Sequence, residues 1–218
     1  MNYCFLFCHG WGFDHKFFVP LINEYFFKKP HYCLDLGYFG KENINFPENS
    51  TFIGIGHSLG LMKLASLNVK FKALIGIQAF VKFLGFDSQL HRERELELKT
   101  MMRNFKISPI ETMMSFYKRC GVNLINDNSF NHLDKVKLMQ DLKLLTTTHE
   151  LPCMPLLILG ATDDTIVPPG LIYDNFGNDV KVIMHNKGRH SLGLREHSFI
   201  YEQIVNFLSG ITEKIHTG

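Results

Sequence analysis

Gly56-His57-Ser58-Leu59-Gly60 sets one serine between glycines two residues away on either side. That spacing suits a nucleophile on a sharp strand-to-helix turn. Small neighbours let the strand and the helix approach without side-chain clashes, and the turn lifts Ser58 Oγ clear of the sheet. The backbone N–H of Leu59 then lies at the start of a helix, where developing negative charge is favoured. A serine hydroxyl is a weak nucleophile alone. It needs a base within hydrogen-bond reach, and the base needs an orienting acid.

Two downstream stretches supply those groups. In "LLILGATDDTIVPPG" an apolar run ends at Gly160 and is followed by Asp163 and Asp164. Counting from the strand end favours Asp163 as the acid. Counting back from Val167-Pro168 favours Asp164, so both stay open, with Asp163 preferred. In "VIMHNKGRHSLGL" a strand ends near Met184 and a loop carries His185 and His190. His190 is placed to reach back over the sheet edge as the base. His185 reads as a surface residue and His197 as structural. His57 leaves the serine's own turn in another direction. Ser58, an Asp and His190 follow one another in the chain order of one known triad arrangement. A second oxyanion donor must come from the loop after the first strand, His9-Gly10-Trp11-Gly12, and the backbone N–H of Trp11 is the candidate.

The surrounding elements must bring these pieces together. Continuous apolar runs predict strands over residues 3–8, 32–36, 51–55, 73–77, 156–159 and 180–184, each buried on both faces. Helical spacing is expected over 14–27, with Pro20 near the first turn, and over 59–67, 169–176 and 196–208. Alternating strands and helices imply a parallel α/β core, 1–79 and 151–218. Residues 80–150 differ: 88–120 and 130–148 are charged or Met-rich with helical period, and Ser108-Pro109-Ile110-Glu111 reads as a capping box. They are expected to form a helical lid insertion.

Composition narrows the class. Hydrophobic residues make up 45% of the 218, enough for one sizeable core. The formal net charge of +2 offers no strong field for nucleic acid or an anionic membrane. Cys4, Cys8, Cys33, Cys120 and Cys153 are odd in number, without CxxC spacing, and read as reduced thiols in a cytoplasmic protein. No HExxH or paired Cys/His spacing points to a metal. The apolar N-terminus has neither a basic start nor a small-residue cleavage site, so it reads as a core strand, not a signal peptide.

"HGWG", "LDLGYFG", "GHSLG", "GATDDTIVP" and "GRHSLGLREH" occur in that order. Together they resemble the α/β-hydrolase superfamily over nearly the whole chain. The resemblance implies a Ser–His–Asp triad, no cofactor, and a mostly parallel sheet, here truncated at the N-terminus. More narrowly, "HGWGF" near the start, "LDLGYFG", the insertion ending "LKLLTTTHELPCMPLLILG" and the His190–His197 spacing are similar to the pimeloyl-[acyl-carrier protein] methyl ester esterases of biotin synthesis. The chain departs from them at His57, where they often carry Trp, and at Leu61, where Gly is common. That similarity implies cleavage of a methyl ester from a carrier-bound pimeloyl chain. A thioesterase, another acyl hydrolase or a catalytically silent binding protein are the alternatives. Within the insertion, Phe80, Phe83, Met101, Met113 and Phe116 are candidates to line an acyl channel, although such a stripe equally suits the buried face of the lid helices. Arg103, Lys118 and Arg119 are candidates to meet an acidic carrier protein, or to form a solvated face paired with nearby glutamates. Oligomeric state is not readable.

Overall fold

The computed structural model describes residues 3–123, 130–177 and 179–216. Six strands form one sheet: β1 (Cys4–Cys8), β2 (His31–Leu34), β3 (Thr51–His57), β4 (Lys70–Ile77), β5 (Leu156–Ala161) and β6 (Lys181–His185). Their order is β2-β1-β3-β4-β5-β6 and every pairing is parallel. Phe5 to Cys8 in β1 and Phe52 to His57 in β3 are buried without alternation, as strands covered on both faces must be. The edge strands β2 and β6 are only half-buried.

Because all six strands run the same way, their C-terminal ends share one edge. The chain winds outward in opposite directions from β1 and β3, whose register pairs Cys8 with Gly56. Open parallel sheets place ligands in the crevice at such a switch point. The loops after β1 and β3 carry Trp11 and Ser58 to that crevice.

The longer helices are α1 (Leu59–Ala65), α2 (Ser88–Ile107), α3 (Pro109–Cys120), α4 (Lys135–Leu144), α5 (Pro169–Phe176) and α6 (His197–His216). Asp87 caps α2 by accepting hydrogen bonds from Gln89 N and Leu90 N, each at 2.9 Å, and Asp134 caps α4 through Lys137 N. Both use a side-chain oxygen to satisfy donors that a first helical turn leaves orphaned. α2, α3 and α4 all lie between β4 and β5, as the charged, Met-rich stretch implies.

Two local expectations change. The helix expected over 14–27 is three short pieces, a 3-10 turn His15–Phe18, an α-helical turn Val19–Leu21 and a π-helical turn Ile22–Phe26. Pro20 sits inside this run and has no N–H to continue a regular ladder. The capping box at Ser108 does not form either. Ser108 ends α2, its N–H donating to the Asn104 carbonyl, and its side chain makes no cap hydrogen bond to α3. Its carbonyl instead accepts from Thr112 N and Thr112 Oγ1.

No helix among the described residues is long and apolar enough to cross a membrane.

Candidate active site

Ser58 holds φ 53° and ψ −122°, a backbone that a side-chain-bearing residue rarely adopts. Its own N–H donates to the Ile77 carbonyl at 3.0 Å, tying the turn to β4. The flanking glycines are steric necessities. A Cβ on Gly56 would lie 2.5 Å from Leu61 N, and one on Gly60 would collide with the Cys8 carbonyl oxygen. The strained serine and the close crossing of α1 over β1 and β3 are therefore one construction.

His190 lies in a short turn after β6 and is 1% exposed. Its Nδ1 is 2.8 Å from Asp164 Oδ2. With Nδ1 committed to that carboxylate, Nε2 is the nitrogen free to act on a proton. Ser58 and His190 line the same cavity, and the His190 ring packs 4.7 Å from the ring of His57, the residue before the serine. Three strand ends, after β3, β5 and β6, thus converge.

The preference for Asp163 is corrected. Asp163 is exposed and accepts a hydrogen bond from Arg189 N at 2.8 Å. Asp164 is the buried partner of His190, at 2% exposure. Its Oδ1 accepts from Ile166 N at 2.8 Å and Val167 N at 3.0 Å. Those amides hold the carboxylate from the Val167-Pro168 side, so the loop beyond the strand fixes the acid more tightly than the distance from the strand end does.

Trp11 and Leu59 line the same cavity as Ser58 and His190. The Trp11 loop is pinned at two points. The indole Nε1 donates to the Leu138 carbonyl at 2.8 Å. Within the buried His9 ring, Nε2 accepts from Leu36 N at 3.0 Å, so Nδ1 carries the proton donated to the Gly10 carbonyl at 2.9 Å. Leu59 begins α1, where backbone N–H groups have no helical acceptor.

The remaining cavity wall is mostly apolar, with Glu97 and Arg119 its charged members. Phe80, Phe83, Met101 and Phe116 line it, together with Leu98, Leu142, Leu145 and Ile166. Met113 does not. It is fully buried beneath, with Cε 3.0 Å from where a Gly12 Cβ would stand. Arg119 belongs to this wall and not to a free basic surface. It donates to Glu97 and to the Thr165 carbonyl at 3.0 Å, while Glu97 also pairs with Arg94 at 2.9 Å. Arg103 and Lys118 are exposed.

Burial sets the charge states nearby. His57 is fully buried, stacked 4.1 Å on Phe17, with neither ring nitrogen in a hydrogen bond. Burial, and then the neighbouring His190, hold its pKa well below the usual imidazole value, so it stays neutral. The Cys120 thiol is pushed far up by burial first and the Asp164 charge second, and remains a thiol. His185 caps β6 against the Phe199 ring and His197 contacts Glu24; neither reaches the cavity.

Gln78, immediately after β4, escapes the sequence reading although its amide touches Asp164. Its signal was a lone polar residue closing an apolar strand, the same kind of signal that marked the aspartates.

No protein-family model matches the sequence, and no curated protein does. Solved structures do. An esterase from Exiguobacterium antarcticum superposes with a TM-score of 0.73 at 13% identity, covering 95% of this chain and 92% of that one. The chain has the α/β-hydrolase fold. MenH from S. aureus (TM-score 0.68, 16% identity, 97% and 95% covered) and a Bacillus megaterium epoxide hydrolase (TM-score 0.70, 12% identity, 96% and 94% covered) share this α/β-hydrolase fold.

Proposed function

We propose that this α/β-hydrolase-fold chain is a serine hydrolase of carboxylic esters. The observation that carries the reading is the strained Ser58 in one cavity with His190, whose Nδ1 is bound to the buried Asp164. In this mechanism His190 Nε2 takes the Ser58 proton as Oγ attacks the ester carbonyl. Asp164 keeps the proton on Nδ1 and stabilises the imidazolium. The Trp11 and Leu59 backbone N–H groups donate hydrogen bonds to the developing oxyanion. His190 then protonates the departing alcohol, and water, activated by the same imidazole, releases the acid. No cofactor enters these steps. The test is hydrolysis of p-nitrophenyl acetate together with labelling by a fluorophosphonate. Both should be present in the native chain and lost in Ser58→Ala. Turnover that survives the substitution refutes the reading.

The finer proposal is the methyl ester of a pimeloyl chain on acyl-carrier protein, in a cytoplasmic protein of biotin synthesis. It is supported by the sequence resemblance and by the mostly apolar cavity wall. Of the three candidate cations, Arg103 and Lys118 are exposed and positioned by this proposal to meet an acidic carrier. Arg119 is occupied by Glu97. Reversing Arg103 and Lys118 to Glu should raise KM for the carrier-bound ester and leave p-nitrophenyl acetate unchanged. Equal effects on both refute docking there.

A further inference from the structure

Gln78 is fully buried and holds φ 51°, again in the left-handed region. Its backbone N–H donates to the Leu159 carbonyl at 2.6 Å, which fixes its position between β4 and β5. The side-chain amide is equally constrained. Nε2 donates to Asp164 Oδ2 at 2.6 Å and to the Arg189 carbonyl, and Oε1 accepts from Leu192 N at 2.9 Å. Two N–H groups face two acceptors and the carbonyl faces a donor. The reversed amide would set oxygen against two oxygens, so only this orientation satisfies all three contacts.

The contacts are specific in what they join. Asp164 Oδ2 is the same oxygen that meets His190 Nδ1, and Oδ1 is occupied by the Ile166 and Val167 amides. Four hydrogen bonds therefore surround a buried carboxylate whose described contacts include no lysine or arginine. Arg189 and Leu192 bracket His190 in the chain. A single amide thus grips the acid and the loop of the base together, from a backbone held in a strained conformation.

We propose that Gln78 is a positioning residue of this site: it holds Asp164 as an ionised acceptor and sets the His190 loop so that Nδ1 meets Oδ2. For its catalytic consequence this rests on the serine-hydrolase reading; the geometry does not. Other titratable groups surround the imidazole. His57 packs beside it with its ring tilted, and Cys120 lies near Asp164. Asp163 binds the Arg189 amide, and Glu97 with Arg119 stands across the cavity. Among the described residues, only Gln78 and His190 contact Asp164 Oδ2 through side chains.

The sign of the expected effect follows from charge. Losing the Gln78 donor leaves more negative charge on Oδ2, which favours the imidazolium. In Gln78→Met the His190 ring should titrate about one pH unit higher than in the native chain. The acid limb of kcat/KM for p-nitrophenyl acetate should move up equally, because the base must be neutral to act. The loosened ring should lower kcat above that limb by about tenfold to a hundredfold. Gln78→Gly removes the same amide while relieving the strained φ. It keeps the test valid if the methionine variant does not fold.

NMR titration of the His190 ring in the native chain and both variants needs no turnover. A midpoint that rises in the folded variants supports the proposal, and one that stays fixed or falls in them overturns it, whatever happens to Tm. If the native chain hydrolyses no ester yet the midpoint rises, the hydrolase reading falls and the positioning role stands.

Discussion

Asp163 and Asp164 are sequence neighbours in opposite environments, one exposed, the other buried against His190. Asp164→Asn should leave the fold intact but favour the wrong imidazole tautomer, lowering kcat for p-nitrophenyl acetate about 10⁴-fold. Asp163→Asn should change it less than tenfold, since the amide oxygen still accepts the exposed hydrogen bond from Arg189 N and only a solvated charge is lost. Equal losses would return the acid role to Asp163. His57 makes a different prediction, in stability. Its folded pKa lies well below the ordinary value because the ring is buried. The unfolded chain therefore binds a proton that the folded chain refuses once pH falls below about 6.5. Stability must drop with falling pH in that range, by at most about 1.4 kcal/mol per unit from this residue. His57→Phe should flatten that part of the profile in urea denaturation while retaining ester hydrolysis. An unchanged slope would mean that the ring is protonated when folded. The placement of Ser58 and His190 at strand ends facing one cavity was legible in the sequence, because each follows an apolar run. Which aspartate meets His190 was not, because two adjacent carboxylates differ only in which backbone amides the loop presents to them.

Helix α1, which follows Ser58, is anchored to α4 by a cluster around Asp141. Lys63 of α1 donates to Asp141 Oδ1 at 2.6 Å, and Tyr38, in the loop after β2, donates to Asp141 Oδ2 at 2.5 Å. Burial, and then the Asp141 charge, push the Tyr38 phenol pKa well up, so it remains a donor. Asp141 thus joins α4 to the elements under Ser58. Removing one partner of a buried pair leaves the other uncompensated. Asp141→Ala should lower unfolding free energy by about 3 kcal/mol, and Tyr38→Phe by about 1 kcal/mol. A double-mutant cycle in urea should show coupling, because both changes remove the same hydrogen bond. Strict additivity would mean that the cluster does not act as a unit. None of this was readable beforehand. Hydrophobic period located α4 and most strands, since burial on one or two faces writes itself into the chain. A Tyr, a Lys and an Asp scattered over a hundred residues carry no such period. Ser108 shows the same limit: its Ser-Pro-x-Glu pattern is correct for a cap, yet its backbone is already committed to ending α2.

The parallel sheet gathers its loops at one edge, and residues of α2, α3 and α4 line the cavity beside Ser58. Beside Ser58 the cavity measures about 40 Å³, room for a few water-sized groups. An open cleft of about 490 Å³ lies between α2 and α3. Glu97, Met101, Phe116 and Arg119 line both, so they form a wall shared by the small cavity and the larger cleft. On the serine-hydrolase reading, a short acyl group is expected to sit beside Ser58 and a longer chain to cross that wall into the cleft. Met101 is the unbranched, flexible member of the wall and can turn aside for a chain. Met101→Trp fills the crossing with a large, stiff ring. It should lower kcat/KM for p-nitrophenyl octanoate at least about tenfold more than for p-nitrophenyl acetate, each excluded methylene forfeiting part of its burial. The Glu97–Arg119 pair sits at the same crossing, so salt that screens it should relax the octanoate barrier and leave acetate untouched. Matched losses for the two esters in Met101→Trp would show that the acyl chain takes another path, and that the α2–α3 cleft serves no part of the substrate.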